Sequence, residues 1–341
     1  MLHDLNERTS TFYPQFEYYC FKNCYLQILE YYGIYNAKYF IDCTTDWAFR
    51  KDSNKGIFTF DTGDPYSSFL PPFDQLVNKV TLDQKPAEQI WEENIKSIRE
   101  GIPVVIAVDI FYLTYTPFYH KKHSYHSLIL SGYEDEQFYV IDWYPPWYFK
   151  GMISKRELDE ARSSANEGDG VLSGTPIDYL YTTVSRDGFT ATRRELLKKE
   201  IQLNLDLYYN GVATSELAKG HLAISKMIDL VEESFQMEEK EQKLFFETLY
   251  QQLFFTPTRK NLFHWYLETV GSDYKSYAFE VAGYAADKSI KTWKGLLSLL
   301  IKCSMSSSKK NLDLLIKQCM DILENEKQFY YALYELNRSI T

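Results

Sequence analysis

Cys20, His126 and Asp142 are the residues whose types and order in this chain can carry nucleophilic chemistry. A cysteine attacks a carbonyl carbon as its thiolate, so it needs a local reason for a low pKa. Phe21, Cys24, Tyr25, Ile28, Leu29 and Tyr32 recur on one helical face and Gly33 stops the pattern, which predicts a helix with Cys20 at or near its N-terminus. The partial positive charge and backbone N–H groups of that position favour a thiolate and can hold the oxyanion that forms when it attacks. Cys24, one turn further in, is expected to face the core and be inert.

A base must come from elsewhere, with its second ring nitrogen held by an acceptor. Segments 127–130 and 138–141 are short strand-like runs, and Gly132, Tyr133, Glu134 and Asp135 between them predict a hairpin. His126 and Asp142 each lie eight residues from Glu134, so antiparallel pairing makes them near neighbours. A shift of one residue would place them on opposite faces. His120 and His123 share a loop with Lys121 and Lys122 without an equally placed acceptor, and they are assigned to the rim or to substrate contact. Gln15, five residues before Cys20, is assigned a side-chain amide for the oxyanion hole. Asp109, ending the strand-like run from Pro103, either binds an amine or caps the next turn, and Trp143 opens an aromatic stretch to Phe149 that either walls the site or packs the core. Each residue alone has an ordinary structural explanation. Their order, with His126 and Asp142 on one hairpin, adds to the catalytic reading, which takes its weight when joined to the resemblance given below.

The elements that must position these residues occupy the first half of a chain too long, at 341 residues, for a single core. Two domains are expected, residues 1–190 and 191–341. The first is mixed, with a helix over Ala87 to Arg99 and an exposed loop from Ser163 to Gly174. After Thr192 the pattern turns helical, with Leu197, Ile201, Leu205 and Tyr208 at three- and four-residue spacing. Pro257, Gly271, Gly283 and the stretch from Ser304 to Ser308 punctuate it into six to eight helices.

With 45% hydrophobic and 25% charged residues the composition is that of a folded globular protein. The 29 tyrosines and 22 phenylalanines suit half-wet clefts, although a base-composition bias explains them too. A net charge of −10 argues against nucleic acid and anionic membrane surfaces as partners. Arg193, Arg194, Lys198 and Lys199 form the one short basic run that an acidic partner could meet. The five cysteines are odd in number, widely spaced and not preceded by a charged-then-apolar leader, so cytoplasmic thiols are expected. No second Cys or His pair follows Cys20 and Cys24 at metal-binding spacing, so no metal is expected, and no apolar stretch reaches the ~20 residues of a membrane span.

The run Cys20-Phe-Lys-Asn-Cys24-Tyr-Leu-Gln-Ile-Leu-Glu-Tyr-Tyr-Gly33 resembles the nucleophile helix of papain-like cysteine peptidases of the bacteriocin-processing type, departing where Phe21 replaces the glycine that usually follows the nucleophile. Gly101-Ile-Pro-Val-Val-Ile-Ala-Val-Asp109, Tyr125-His126-Ser-Leu-Ile-Leu-Ser-Gly132-Tyr133 and Val140-Ile-Asp142 are similar to the N-terminal domain of the butirosin biosynthesis protein H family, over roughly the first 160 residues. That resemblance implies an α+β, papain-like catalytic domain followed here by an α-helical domain that covers the cleft or docks a carrier protein. It implies an acyl group borne as a thioester on the phosphopantetheine of an acyl or peptidyl carrier protein, passed through Cys20 to an amine acceptor. The product is an amide of natural-product or antibiotic biosynthesis, and the chain itself binds no cofactor. Two alternatives stay open: a cysteine peptidase or thioester hydrolase using the same triad, and a non-catalytic binding protein with a degenerate site.

Overall fold

A computed structural model describes residues 19–34, 36–51, 58–61, 68–143, 147–168, 173–274, 276–306 and 308–340. In chain order the elements begin with α1 (Cys20–Tyr31), α2 (Ala37–Phe40), β1 (Ala48–Lys51), β2 (Phe58–Asp61), β3 (Val77–Val80), α3 (Ala87–Arg99) and β4 (Val104–Asp109). There follow β5 (Tyr125–Glu134), β6 (Gln137–Asp142), β7 (Phe149–Ser154), α4 (Lys155–Arg162), β8 (Tyr181–Val184), α5 (Arg193–Tyr209) and β9 (Leu217–Lys219). The last are α6 (His221–Glu233), α7 (Glu239–Leu253), α8 (Thr256–Tyr274), α9 (Tyr277–Met305) and α10 (Lys309–Ser339).

The chain divides into two units, one of Met1–Asp42 with Pro65–Ala191 and the other of Cys43–Asp64 with Thr192–Thr341. The sequence puts one boundary near residue 190; the structure adds an excursion, because segment 43–64 goes with the second unit. The reason is pairing and packing. β1 lies between β2 and β9, antiparallel to both, and Trp47 stacks on Trp293 with ring centroids 5.0 Å apart.

The first unit is α+β. Its antiparallel sheet has the order β3-β8-β4-β5-β6-β7. β4 is central and buried along its whole length, which is why it is an unbroken apolar run without alternation. On one face Val104, Ile106, Val108, Leu128, Leu130, Phe138 and Val140 pack against Ile90, Trp91 and Ile98 of α3 and Leu158 and Ala161 of α4. Ser154 caps α4 by accepting from the Glu157 N–H. α1 packs on the opposite face, as strand alternation requires: Tyr25 Oη is 2.8 Å from Thr182 Oγ1, next to core-facing Tyr181. α1 is buried on nearly all sides from Phe21 to Leu29, polar Lys22, Asn23 and Gln27 included. The stretch from Ser163, expected to be an exposed loop, is in part interior, since Ser164 and Asn166 are buried.

The second unit holds the sheet β2-β1-β9 and six α-helices among the described residues. α5 opens with a capping box between Thr192 and Glu195, and its stripe of Leu197, Ile201, Leu205 and Tyr208 is buried as its spacing predicts. Two of the expected breaks are not breaks. Gly271 lies inside α8, where a Cβ would stand 3.0 Å from Phe279, and Gly283 lies inside α9. Pro257 is tolerated because it is the second residue of α8, where no intrahelical N–H bond is lost. Among the described residues no helix is long and apolar enough to cross a membrane.

Candidate active site

The β5–β6 hairpin sets the relation of His126 to Asp142 by a route the sequence does not show. Its turn is Asp135-Glu136, both with positive φ, rather than a turn centred on Glu134. Glu134 pairs with Gln137 and Gly132 with Tyr139, but Leu130 pairs with Val140, so Ser131 is an extra residue, a β-bulge. Were Ser131 paired with Val140 instead of bulged, the ladder would set Asp142 opposite Ile129 and turn His126 to the other face. With the bulge Ile129 pairs with Ile141, and the same register carries Asp142 opposite Leu128, two residues from His126 and on its face.

His126 Nε2 lies 2.9 and 3.0 Å from the two carboxylate oxygens of Asp142. That leaves Nδ1 as the ring nitrogen that can meet Cys20, and the thiol and the imidazole shift each other's pKa. Cys20 is the first residue of α1 and partly exposed, whereas His126 and Asp142 are buried. Past Ile141 the β5–β6 ladder ends, and Asn23 Nδ2 of α1 donates to the Trp143 carbonyl at 3.1 Å. The first turn of α1 therefore sits where β6 leaves β5, beside His126 and Ser127.

Burial works against a Cys20 thiolate, but the His126 hydrogen bond and charge, joined by hydrogen bonds from the Ser127 side chain and backbone, outweigh it and hold the thiol below its usual pKa. Burial likewise opposes a charged His126, and Asp142 with Cys20 overcomes it, raising the imidazole to about 10. Both shifts act in the direction of thiolate and imidazolium. Cys24 behaves oppositely: burial and the neighbouring Cys20 charge push its thiol well above the usual value, and its sulfur is 3.7 Å from Ser127 Oγ.

Two site residues escape a reading of the sequence, and a third, Trp147, is covered only as part of the stretch from Trp143 to Phe149. Ser127 follows the histidine, lies 3.7 Å from the Cys24 sulfur through its hydroxyl and helps to lower the Cys20 pKa. Trp147 donates its indole N–H to Asp142 Oδ2 at 3.0 Å and stands edge-on to the His126 ring at 6.0 Å. Tyr115 donates its hydroxyl to the same oxygen at 2.7 Å. Trp147 belongs to the aromatic stretch expected either to wall the site or to pack the core, without being singled out within it; Tyr115 is one aromatic among several and carries no mark.

The remaining assignments fall apart from this set. Gln15 lies outside the described residues. Asp109 is fully buried and its carboxylate is occupied by the Phe111 and Ser124 N–H groups, His123 Nδ1 at 2.6 Å and the Ser164 hydroxyl at 2.6 Å, the capping arrangement. His123 also stacks on Phe111 at 4.1 Å, and His120 on Tyr119 at 4.0 Å. Trp143 has Lys150 Nζ 4.3 Å from its ring centroid, and burial lowers the Lys150 pKa. Among the described residues no three His, Cys, Asp or Glu side chains are grouped to hold a metal.

The model of the family described as Butirosin biosynthesis protein H, N-terminal, matches residues 47–143. This is the family that the sequence resembles, and the matched stretch contains His126 and Asp142 but not Cys20. No curated protein matches the chain.

Proposed function

We propose that the chain is a cysteine-dependent acyltransferase of natural-product biosynthesis, forming an amide from a carrier-protein thioester and an amine. The observation that carries this reading is the pairing of His126 with Asp142 at 2.9 Å together with Cys20 at a helix N-terminus, its thiol pKa lowered by the His126 charge. The match to a family named for butirosin biosynthesis supports the setting. A papain-like fold belongs to the same reading, supported by a nucleophile helix packed on an antiparallel sheet that bears the histidine and the acid.

The Cys20 thiolate attacks the thioester carbonyl, and the helix N-terminal N–H groups receive the oxyanion. The phosphopantetheine thiolate leaves and takes the proton from His126. The amine then attacks the Cys20 acyl carbonyl, His126 accepts its proton, and Cys20 departs as thiolate. Exchange of one thioester for another is nearly balanced, so the acyl-enzyme is accessible, and its fate depends on keeping water away. Buried His126 and Asp142, with Trp147 against the imidazole, support such exclusion.

Hydrolysis by the same residues is the competing outcome. An acylated carrier protein offered with a panel of amines is expected to give amide faster than free acid, and to react faster than the same acyl group on pantetheine alone. Free acid as sole product with every amine would assign the chain to the hydrolases.

A further inference from the structure

Asp142 accepts from three side chains, and only one of them is the histidine. Tyr115, the nearest donor at 2.7 Å, lies in the segment between β4 and β5, and that segment is fixed on both sides of it. Thr114 donates its backbone N–H and its hydroxyl to Glu157 Oε1, both at 2.9 Å. Thr116 donates its hydroxyl to the carbonyls of Ile110 and Leu113. The Tyr115 ring stacks at 4.0 Å on Phe149, and Phe149 is the cross-strand partner of Asp142. The hydroxyl is therefore placed by the same register that places the carboxylate.

A carboxylate held by one partner can turn about its Cβ–Cγ bond; a second, independently anchored donor removes that freedom and takes a share of the negative charge. We propose that Tyr115 is a positioning residue of the Cys20–His126–Asp142 set, fixing the plane of the Asp142 carboxylate and moderating its pull on the His126 proton. This rests on the catalytic reading of those three residues. The Tyr115 phenol suits the task, because burial and the Asp142 charge push its pKa well above the usual value and keep it a donor. The titratable groups around the pair are Cys20 and Cys24 on α1 and Tyr115 itself, with Glu157 of α4 acting on Tyr115.

The test is Tyr115→Phe, which keeps the ring on Phe149 and removes only the hydroxyl. Carboxymethylation of Cys20 by iodoacetate, located by peptide mass, reports the imidazolium beside the thiolate, because the reagent's carboxylate is drawn to it. In the wild type the rate should fall at an alkaline edge where His126 loses its proton. In Tyr115→Phe the unshared Asp142 charge holds that proton more tightly, so the edge should move up by about half to one pH unit. Acylation by a simple thioester at pH 7 should slow roughly tenfold as the carboxylate loosens. A merely structural tyrosine would lower the melting temperature and leave the edge in place, and that result overturns the inference. If Tyr115→Phe does not fold, 3-fluorotyrosine at position 115 strengthens the donor and should move the edge down; an unmoved edge again overturns it. A wild type with no alkaline edge removes the catalytic reading and this inference together, whereas a wild-type edge that both variants reproduce removes this inference alone.

Discussion

At the scale of the residue, the chemistry depends on two opposed perturbations of neighbouring groups. Asp142 raises His126 to about 10 against the cost of burial, and His126 with Ser127 lowers Cys20 against the same cost. Both shifts favour the charged forms, so the thiolate–imidazolium pair is bounded by the lowered Cys20 pKa on the acid side and by about pH 10 on the alkaline side. Asp142→Asn removes the charge that supports the imidazolium while burial persists. Its alkaline edge of Cys20 reactivity should therefore fall below that of the wild type, with Cys20 alone left to support the proton. Acylation at pH 7 should fall by roughly 10²–10⁴, measured by stopped-time mass spectrometry. Ser127→Ala keeps the backbone donor and loses the hydroxyl, so the acid edge of Cys20 alkylation should rise by about one pH unit or less. Cys24→Ala should leave both edges unchanged, since its thiol is held protonated.

At the scale of the element, the hairpin decides whether there is a site at all. Ser131 shows why the sequence reading reached the right neighbours by an incomplete route. The two strands and their pairing are legible from strand-like runs and turn residues, but a turn at Asp135-Glu136 and a bulge at Ser131 are not, because neither leaves a compositional mark. The two displacements together keep His126 and Asp142 on one face. Deleting Ser131 should leave the pairing of Leu130 with Val140 intact, so Cys20 should stay reactive. Inserting one alanine between Val140 and Ile141 should turn Asp142 to the face of Ser127 and abolish the alkaline edge. Alkylation profiles of the two proteins, each checked for folding by circular dichroism, distinguish these outcomes. The start of α1 at Cys20 was legible because its apolar spacing and Gly33 bound a single short helix. Tyr115 and Trp147 were not, since a contact across the sheet edge depends on rotamers and on a fixed loop rather than on spacing.

At the scale of the whole molecule, each of the two units buries charged side chains. The first is an apolar sheet core whose buried Arg162 bonds Asn94 and the Tyr179 carbonyl and lies 4.3 Å over the Trp91 ring, with burial lowering its pKa to about 9. The second has a buried ion pair, Lys260 to Glu326 at 2.9 Å, in which Glu326 also accepts from Ser289 and Trp293. Lys260→Met strips the cation from a buried carboxylate and should cost about 3–5 kcal/mol in the unfolding of that unit; adding Glu326→Gln should recover part of the loss, as read by urea denaturation. The excursion of residues 43–64 into the second unit was hidden in the sequence, because a three-stranded sheet assembled from distant pieces has no local pattern.

The central claim is that Cys20 becomes covalently acylated, and the most direct measurement is intact mass after incubation with a simple acyl thioester, comparing wild type with Cys20→Ala. The account predicts one acyl adduct in the wild type and none in the variant. No adduct in the wild type, or an adduct that persists in the variant, would contradict it.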